Sequence, residues 1–363
     1  METIALGVGL SFLTFGALPA NAAAPTDRQI ELLESTTEAI PLVSSQASEA
    51  DQLAARGVQT FTRQDYVGAF EAWQQAMMLY RIEGDRTKEA RMLENLSVVY
   101  RVTDRPGEAI NASQQAVDIY EALGTANEQP SAFLNLGSAY RLGSQINDAI
   151  AAYETSLSLY QNADDPTGER IILSLLADVH KDAENYTESI TYQEQVLSIA
   201  QSTQNAQIEA ESLSELGYAH FMTENYTQSV NYYRSALALF RELGDRPQEV
   251  AVLNNLGRAA SLGQDFDTAL SAYQEALNIF QALNRPDQEA HLWVNIGQAH
   301  LNAGSTAEAM HAFQQVVTLT ERLRSQQPNS PLPARLEAAY RGLATLLRQA
   351  NRGSEAEQVL GLI

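Results

Sequence analysis

Cysteine is missing from all 363 positions of the chain. Its absence excludes disulfides, thiolate metal sites, a cysteine nucleophile and a lipidated cysteine anchor. A chain without cysteine suits an oxidising compartment, but cytosolic proteins can lack cysteine too, so the absence does not fix the compartment.

Basic residues are scarce, because 23 Lys and Arg stand against 45 Asp and Glu, for a formal net charge of −22. Binding to phosphate groups needs a surplus of Lys and Arg, so we do not expect a nucleic-acid partner or attraction to anionic lipid. The same charge favours the solubility of a long, exposed surface.

The sequence also lacks the short motifs of common enzymes. It contains no P-loop, no G-x-S-x-G, no H-E-x-x-H and no dinucleotide fingerprint. Adjacent carboxylates such as Asp164 and Asp165 fall in a turn region, and such pairs are frequent in so acidic a chain. We therefore expect no enzymatic activity, no cofactor and no catalytic residue.

Long apolar runs are absent after the N-terminus, where one run extends from Ile4 to Ala20. Ala20-Asn21-Ala22 then gives the small-x-small pattern that signal peptidase reads. This predicts a signal peptide over residues 1–22 and export to the periplasm or the exterior. Met1-Glu2-Thr3 has no basic residue, so two alternatives stay open: a retained membrane anchor, or no targeting role.

A small residue recurs every 40 positions along the rest of the chain. The series is Gly57, Ser97, Gly137, Ala177, Gly217, Gly257 and Gly297. Twelve residues after each comes a second small residue, and four residues further a ring in most copies: Trp73, Tyr153, Tyr233, Tyr273 and Phe313. Repeats of this length indicate a stacked array in which each unit buries its apolar face against its neighbours.

Each copy has the pattern of two amphipathic helices. In the third copy, Phe133, Leu136 and Tyr140 follow the spacing of one helical face, and Ile150 and Tyr153 follow it again after a turn. The small residues predict close crossing of the two backbones, with the ring filling the space beside the crossing.

The copies at both ends differ from the others. Asp27 to Ile40 predicts an additional helix that covers the first copy, and the last copy is displaced by 47 residues instead of 40. The predicted organisation is a signal peptide (1–22), a capping helix (23–45), seven repeats (46–325), a Pro-rich loop (326–333) and a displaced repeat with its cap (334–363).

At these positions the chain resembles the tetratricopeptide repeat family. In the third copy the family motif falls on Phe133, Leu136, Gly137, Tyr140, Ala149, Tyr153 and Ser156. The 40-residue period resembles the subclass found in kinesin light chains and related adaptors. The resemblance implies an all-α, right-handed superhelical solenoid of about eight antiparallel helix pairs, whose first helices line a concave groove that binds a peptide or protein segment.

Two rows of polar residues are the candidates for that groove. In some family members an Asn before the Leu-Gly pair bonds the backbone of the ligand; here these positions hold Asn95, Asn135, Asn255 and Asn295. An amide offers both a donor and an acceptor to a peptide unit. Leu175 and Glu215 interrupt the row, and the alternative is that these Asn residues bridge neighbouring helices.

The second row is basic and contains Arg101, Arg141 and Lys181. These residues are candidates for binding an acidic segment or a C-terminal carboxylate. The alternative is that they stabilise the negative ends of helix dipoles. Tyr218 and Arg258 complete the candidate lining.

His180, His220 and His300 take the aromatic position of the repeat. Residues one copy apart are expected about 10 Å from each other, from the spacing of packed helices, which is too far for one metal ion. We therefore expect structural roles and no metal site.

The leading functional hypothesis is an exported bacterial scaffold that binds a peptide or protein partner. One alternative is a structural or self-assembling protein that uses its convex face or its end caps. Another is a regulatory partner of an enzyme that acts in trans. The sequence gives no indication of the oligomeric state, and a membrane is expected as a partner only if the N-terminal segment is retained as an anchor.

Overall fold

The computed structural model describes residues 48–326 and 332–363, and within these ranges it contains helices and turns but no strand. The predicted signal peptide, the predicted capping helix and most of the predicted loop 326–333 lie outside the described residues. The chain divides at residue 163 into two compact units, which are described separately.

From residue 48 onward, the N-terminal unit contains three helix pairs. They are α1 (Glu49–Thr62) with α2 (Tyr66–Glu83), α3 (Arg86–Val102) with α4 (Pro106–Leu123), and α5 (Gln129–Leu142) with α6 (Ile146–Asn162).

The C-terminal unit contains five pairs. They are α7 (Pro166–Asp182) with α8 (Tyr186–Ser202), α9 (Ala206–Met222) with α10 (Tyr226–Leu243), α11 (Arg246–Leu262) with α12 (Phe266–Ala282), α13 (Pro286–Asn302) with α14 (Thr306–Gln326), and α15 (Ala334–Gln349) with α16 (Gly353–Leu360).

Polar residues fix where many of the helices begin. Asp65, for example, accepts a hydrogen bond from the backbone N–H of Gly68 at 2.9 Å, and Asp165 does the same for Gly168 at 3.1 Å. A carboxylate or amide in this place satisfies an N–H group that the helix itself leaves unbonded. The same cap recurs at Asp85, Asn205, Asn225, Asp245 and Asp265.

The recurring glycine stands where a ring of the second helix crosses the first. A Cβ on Gly257 would lie 2.4 Å from Cε1 of Tyr273, far inside van der Waals contact. Four further copies repeat this contact, as Gly57 with Trp73, Gly137 with Tyr153, Gly217 with Tyr233 and Gly297 with Phe313.

Two copies have neither the glycine nor the ring. Ser97 and Ser113 stand in their places, with hydroxyl oxygens 2.6 Å apart. In the other copy the pair is Ala177 and Gln193, and Gln193 is buried. The small residue and the ring therefore change together, as expected if the ring is what requires the glycine.

Buried carboxylates tie successive pairs together at two places. Glu249 of α11 is buried and accepts hydrogen bonds from Arg241 of α10 at 3.0 Å and from Arg246 at 2.6 Å. Glu89 is held in the same way by Arg81 and Arg86 in the N-terminal unit. Each carboxylate links the second helix of one pair to the first helix of the next.

Within each unit the first helices of successive pairs contact one another, as α3 does with α5 and α11 with α13. Their apolar residues form continuous cores that run from pair to pair. The predicted all-α repeat solenoid is thus confirmed. No helix in the described residues is long and apolar enough to cross a membrane.

Candidate functional site

The candidate residues lie on the exposed side of the first helices, which we call the first-helix face. In the N-terminal unit this face carries Asn95, Arg101, Asn135 and Arg141. In the C-terminal unit it carries Lys181, Tyr218, Asn255, Arg258 and Asn295. Each is partly exposed except Asn135, which is buried.

Asn135 of α5 bridges two residues of the preceding first helix. Its Nδ2 donates to Glu94 at 3.1 Å, and its Oδ1 accepts from the Arg101 guanidinium at 3.2 Å. Both ends of this amide are therefore used within the unit. This contact is the helix-bridging role that the sequence left open for the Asn row.

Glu94 is buried and Arg101 is partly exposed, and Asn135 forms hydrogen bonds to both. Glu94 also accepts from the hydroxyls of Tyr120 at 2.9 Å and Ser131 at 3.0 Å, yet burial outweighs these bonds and raises the pKa of Glu94. Burial likewise lowers the pKa of Arg101. Among the described residues Arg101 forms no ion pair, and its Nε is buried without a hydrogen-bond partner.

Lys181 of α7 has a different environment, because its charge is balanced locally. Its Nζ lies 2.8 Å from a carboxylate oxygen of Glu215 and 3.0 Å from one of Asp178. Burial opposes the charge, but the two carboxylates outweigh it and raise the pKa of Lys181. Glu215, which interrupts the Asn row in the sequence, is thus the partner of a lysine from the preceding copy.

The C-terminal unit repeats the amide bridge with different chemistry. Asn295 of α13 donates from Nδ2 to the side-chain oxygen of Asn254 at 2.7 Å, and its own Oδ1 accepts from Arg335 of α15. Burial and the nearby Arg258 lower the pKa of Arg335, so the local field is positive. The phenol of Tyr273 lies close enough to both arginines to feel their charge.

Arg258 stacks on an aromatic ring, with its guanidinium carbon 4.9 Å from the centre of Phe221. It takes part in no ion pair among the residues that the structure describes. Tyr218, one copy earlier, makes an edge-on contact with Tyr186 at 6.3 Å between ring centres.

The remaining candidates fall into two groups. Asn95 and Asn255 are partly exposed, and their side chains have no hydrogen-bond partner within the described ranges. Arg141 lies in the last turn of α5 and takes part in interactions with other residues. Peptide binding by any member of the two rows stays a prediction.

Two of the histidines at the aromatic position, His180 and His220, contact tyrosines of their own helix pairs. His180 stacks on Tyr192 with ring centres 5.5 Å apart, and His220 stacks on Tyr232 at 5.2 Å. In the part of the chain that the structure covers, no group of His, Asp and Glu side chains is placed to hold a metal ion.

Sequence reasoning missed Arg335, which contributes to the C-terminal part of the face. The residue follows the insertion that displaces the last copy, so it has no counterpart in the 40-residue register. The one indication in the sequence was its place two residues after Pro333, where a helix is expected to begin.

Comparison with protein families gives tetratricopeptide repeat matches over residues 128–204, 208–282 and 290–322, about half of the chain. Comparison with curated protein sequences finds no match.

Solved structures with the same fold are distant in sequence. Apo RapI matches with a TM-score of 0.55 and 12% identity, over 77% of this chain and 100% of that one. A STAND signal transduction ATPase with a tetratricopeptide repeat sensor, from Pyrococcus horikoshii, matches with a TM-score of 0.60 and 13% identity, over 85% of this chain and 44% of that one. The C-terminal part of a TPR repeat-containing protein from Cytophaga hutchinsonii matches with a TM-score of 0.55 and 16% identity, over 72% and 93%.

At such identities these likenesses establish the fold alone, whereas the family matches and the repeated motif establish the family. Tetratricopeptide repeat proteins are in general non-catalytic scaffolds for interactions between proteins. The chain belongs to the tetratricopeptide repeat family.

Proposed function

We propose that the first-helix face of each unit binds a short acidic segment of a partner protein. One observation carries the proposal: Arg101 and Arg258 both lie on this face, and neither has a carboxylate partner in the described residues. The chain has 45 acidic residues against 23 basic ones, so an arginine without a carboxylate partner is unexpected.

Arg258 has the geometry of a preorganised carboxylate site. The cation–π contact with Phe221 holds the guanidinium in place, and the N–H groups of a guanidinium point outward in its own plane. Such an edge binds a carboxylate through two parallel hydrogen bonds. Asn255 lies three residues earlier on the same helix and offers an unused amide to the peptide backbone beside it.

Arg101 supports the proposal through the cost of its burial. A guanidinium whose Nε is buried and that has no counter-ion is unfavourable, and desolvation accordingly lowers the pKa of Arg101. A ligand carboxylate would offset that cost, so binding is favoured by more than the new hydrogen bonds alone. Asn135 keeps the guanidinium in place from the other side.

The net charge limits which acidic segments fit. A chain of −22 repels an acidic peptide at long range, so attraction has to come from close contacts. Lys181 adds none, because Glu215 and Asp178 already balance it. We therefore expect a ligand with one or two carboxylates among neutral residues rather than a polyacidic stretch.

The test uses three fluorescein-labelled octapeptides: one with two Glu residues among Ser, Gly and Leu, the same peptide with Gln for Glu, and octaglutamate. Fluorescence polarisation with the full chain should rank the two-Glu peptide first. Arg101→Gln tests the site of the N-terminal unit, and Arg258→Gln tests that of the C-terminal unit. Each substitution, made in a chain that already carries the other, should weaken the remaining binding about tenfold, since a hydrogen bond to a charged group contributes about 1.5–3 kcal/mol.

Arg322→Gln is the matched control, because this exposed arginine lies on second helix α14, away from the first-helix face. It removes the same charge and should leave binding unchanged. Equal binding of the Glu and Gln peptides, or equal losses in all three variants, would rule out a carboxylate site on this face. Capture of a native partner whose binding depends on Arg258 would extend the result from model peptides to the protein.

We also propose that the scaffold is exported. The apolar run Ile4–Ala20, the Ala20-Asn21-Ala22 pattern and the lack of cysteine support this. N-terminal sequencing of the protein from its native cells tests it: a mature chain that begins after residues 22–24 is expected, and an intact Met1 would contradict cleavage.

A further inference from the structure

Helix α2 carries an apolar stripe on its solvent side, formed by Val67, Met78 and Ile82. These side chains are 70%, 49% and 81% exposed. With Glu71 and Gln75, which are also exposed, they follow the spacing of one helical face. A row of large aliphatic residues in water is unusual for a chain of such low hydropathy.

The second helices from α4 through α14 carry no large aliphatic residue at the positions equivalent to this stripe. At the position of Ile82 these six helices carry Ala122, Asn162, Ser202, Glu242, Ala282 and Arg322, all exposed. The equivalents of Val67 and Met78 are likewise polar residues, glycine or alanine. Packing within the array therefore does not require apolar residues here, and α2 departs from its own repeat.

A further helix of the array would leave the stripe uncovered. Helix α4 has a pair before it and a pair after it in the N-terminal unit, yet its equivalent positions, such as Asp118 and Ala122, are exposed. A helix packed in register before α1 would thus leave Val67, Met78 and Ile82 in water. The stripe needs an occupant that approaches from outside the array.

We propose that this stripe is a contact between two copies of the chain, with two α2 helices packed antiparallel across a twofold axis. The two apolar ends of the stripe, Val67 and Ile82, lie equally far along the helix from the point between Gln74 and Gln75. An antiparallel second copy therefore places its Ile82 against Val67 and its Met78 against the stem of Glu71. A twofold contact requires this self-complementary order.

The local charge around the stripe and the size of the stripe agree with a second copy of the chain as the occupant. Two copies of −22 repel each other weakly where a segment is close to neutral, and residues 48–105 hold eight basic residues against nine acidic ones. Three apolar side chains per copy make a contact below the roughly 1,200–2,000 Å² of a stable dimer. We therefore expect a weak dimer, with a dissociation constant of about 10–100 µM.

Cysteine crosslinking tests the geometry directly, because the full chain has no native cysteine. Gln75→Cys places a thiol beside the twofold axis, where two copies bring their Cα atoms within the roughly 4.4–6.8 Å that a disulfide needs. Gln115→Cys is the matched control, since it is the equivalent exposed position of α4. Under mild oxidation at about 50 µM, near the expected dissociation constant, Gln75→Cys should form a covalent dimer at least about ten times faster than Gln115→Cys.

Sedimentation velocity over the same concentrations gives an independent readout. The unmodified chain should shift from monomer to dimer, and Ile82→Glu should abolish the shift, while Ala122→Glu, which adds the same charge in α4, should not. A monomer at every concentration would overturn the proposal, whether the stripe is covered by residues 1–47 of the same chain or by another protein. Equal crosslinking rates at the two positions, or a dimer that survives Ile82→Glu, would overturn it as well.

Discussion

Gly257→Ala tests the account of the repeat most directly. The added Cβ would lie 2.4 Å from Cε1 and 2.7 Å from Cδ1 of Tyr273, whose ring is buried. Carbon atoms pack at about 3.5–4.0 Å, so the ring has to move by about 1 Å in a tightly packed core. Overpacking of this kind costs about 1–3 kcal/mol. The better helix propensity of Ala returns about 1 kcal/mol, which leaves a net loss of up to about 2 kcal/mol.

The assay can be confined to the C-terminal unit. The chain has two tryptophans, and Trp293 packs against the same core as Tyr273, whereas Trp73 lies in the N-terminal unit. In a Trp73→Phe background, urea unfolding followed by fluorescence therefore reports on the relevant unit. Midpoints are compared rather than extrapolated free energies, since repeat arrays often depart from two-state unfolding.

The second copy supplies the comparison that makes this prediction specific. There, Ser97 and Ser113 occupy the positions of Gly257 and Tyr273 and contact through their hydroxyls. Tyr273→Ser should itself destabilise the unit by about 3–5 kcal/mol through the lost ring. In that background Gly257→Ala should no longer destabilise and should gain about 1 kcal/mol.

Gly107 provides the control, because a Cβ there would meet nothing within 4 Å. Gly107 lies in the N-terminal unit, so Gly107→Ala is followed through Trp73 in a Trp293→Phe background, where it should leave the urea midpoint unchanged or raise it. If Gly257→Ala were neutral, or equally harmful with and without the ring of Tyr273, the ring would not be the reason for the recurring glycine.

Two further substitutions test the turns and the buried charges. Gln204→Gly should raise the urea midpoint by the equivalent of about 0.5–1 kcal/mol, because Gln204 has φ 55° where Gly244 stands in the next copy; an unchanged midpoint would show that this turn is unstrained. Burial opposes ionisation of Glu249, but Arg241 and Arg246 outweigh it and lower its pKa, so its stabilisation is present above about pH 4.3 and is lost as pH falls through the folded pKa. Glu249→Gln should cost about 1–3 kcal/mol at neutral pH and flatten the acid limb of stability against pH, whereas an unchanged acid limb would contradict this.

The fold was predictable because its determinants lie close together in sequence. The crossing of Gly257 with Tyr273 spans 16 residues, and the same pair of a glycine and a ring is present in five of the seven 40-residue copies. Caps such as Asp165 act on an N–H two or three residues away. Local chemistry repeated in phase leaves few other ways to bury the apolar faces.

The state of the candidate site was not predictable by the same route. Whether a side chain on the first-helix face is available to a ligand depends on which residue of the next copy contacts it. Arg101 meets Asn135, and Lys181 meets Glu215, each 34 residues later. The two amide bridges, from Asn135 to Glu94 and from Asn295 to Asn254, both span 41 residues. Within a single copy of the sequence, the four Asn residues look equivalent. In the structure, two of them bridge neighbouring helices, and the side chains of the other two have no hydrogen-bond partner in the described residues.

These spacings have a consequence for how such arrays acquire specificity. A substitution at one position of the row changes the charge presented by the copy before it, without touching the core that holds the helices together. Glu215 in place of an amide neutralises Lys181, whereas Asn135 holds Arg101 without neutralising it. The charge that the face presents is therefore set by pairs of residues in neighbouring copies, while the glycine–ring pairs that set the architecture lie within single copies. Selection can act on one set of pairs and leave the other intact.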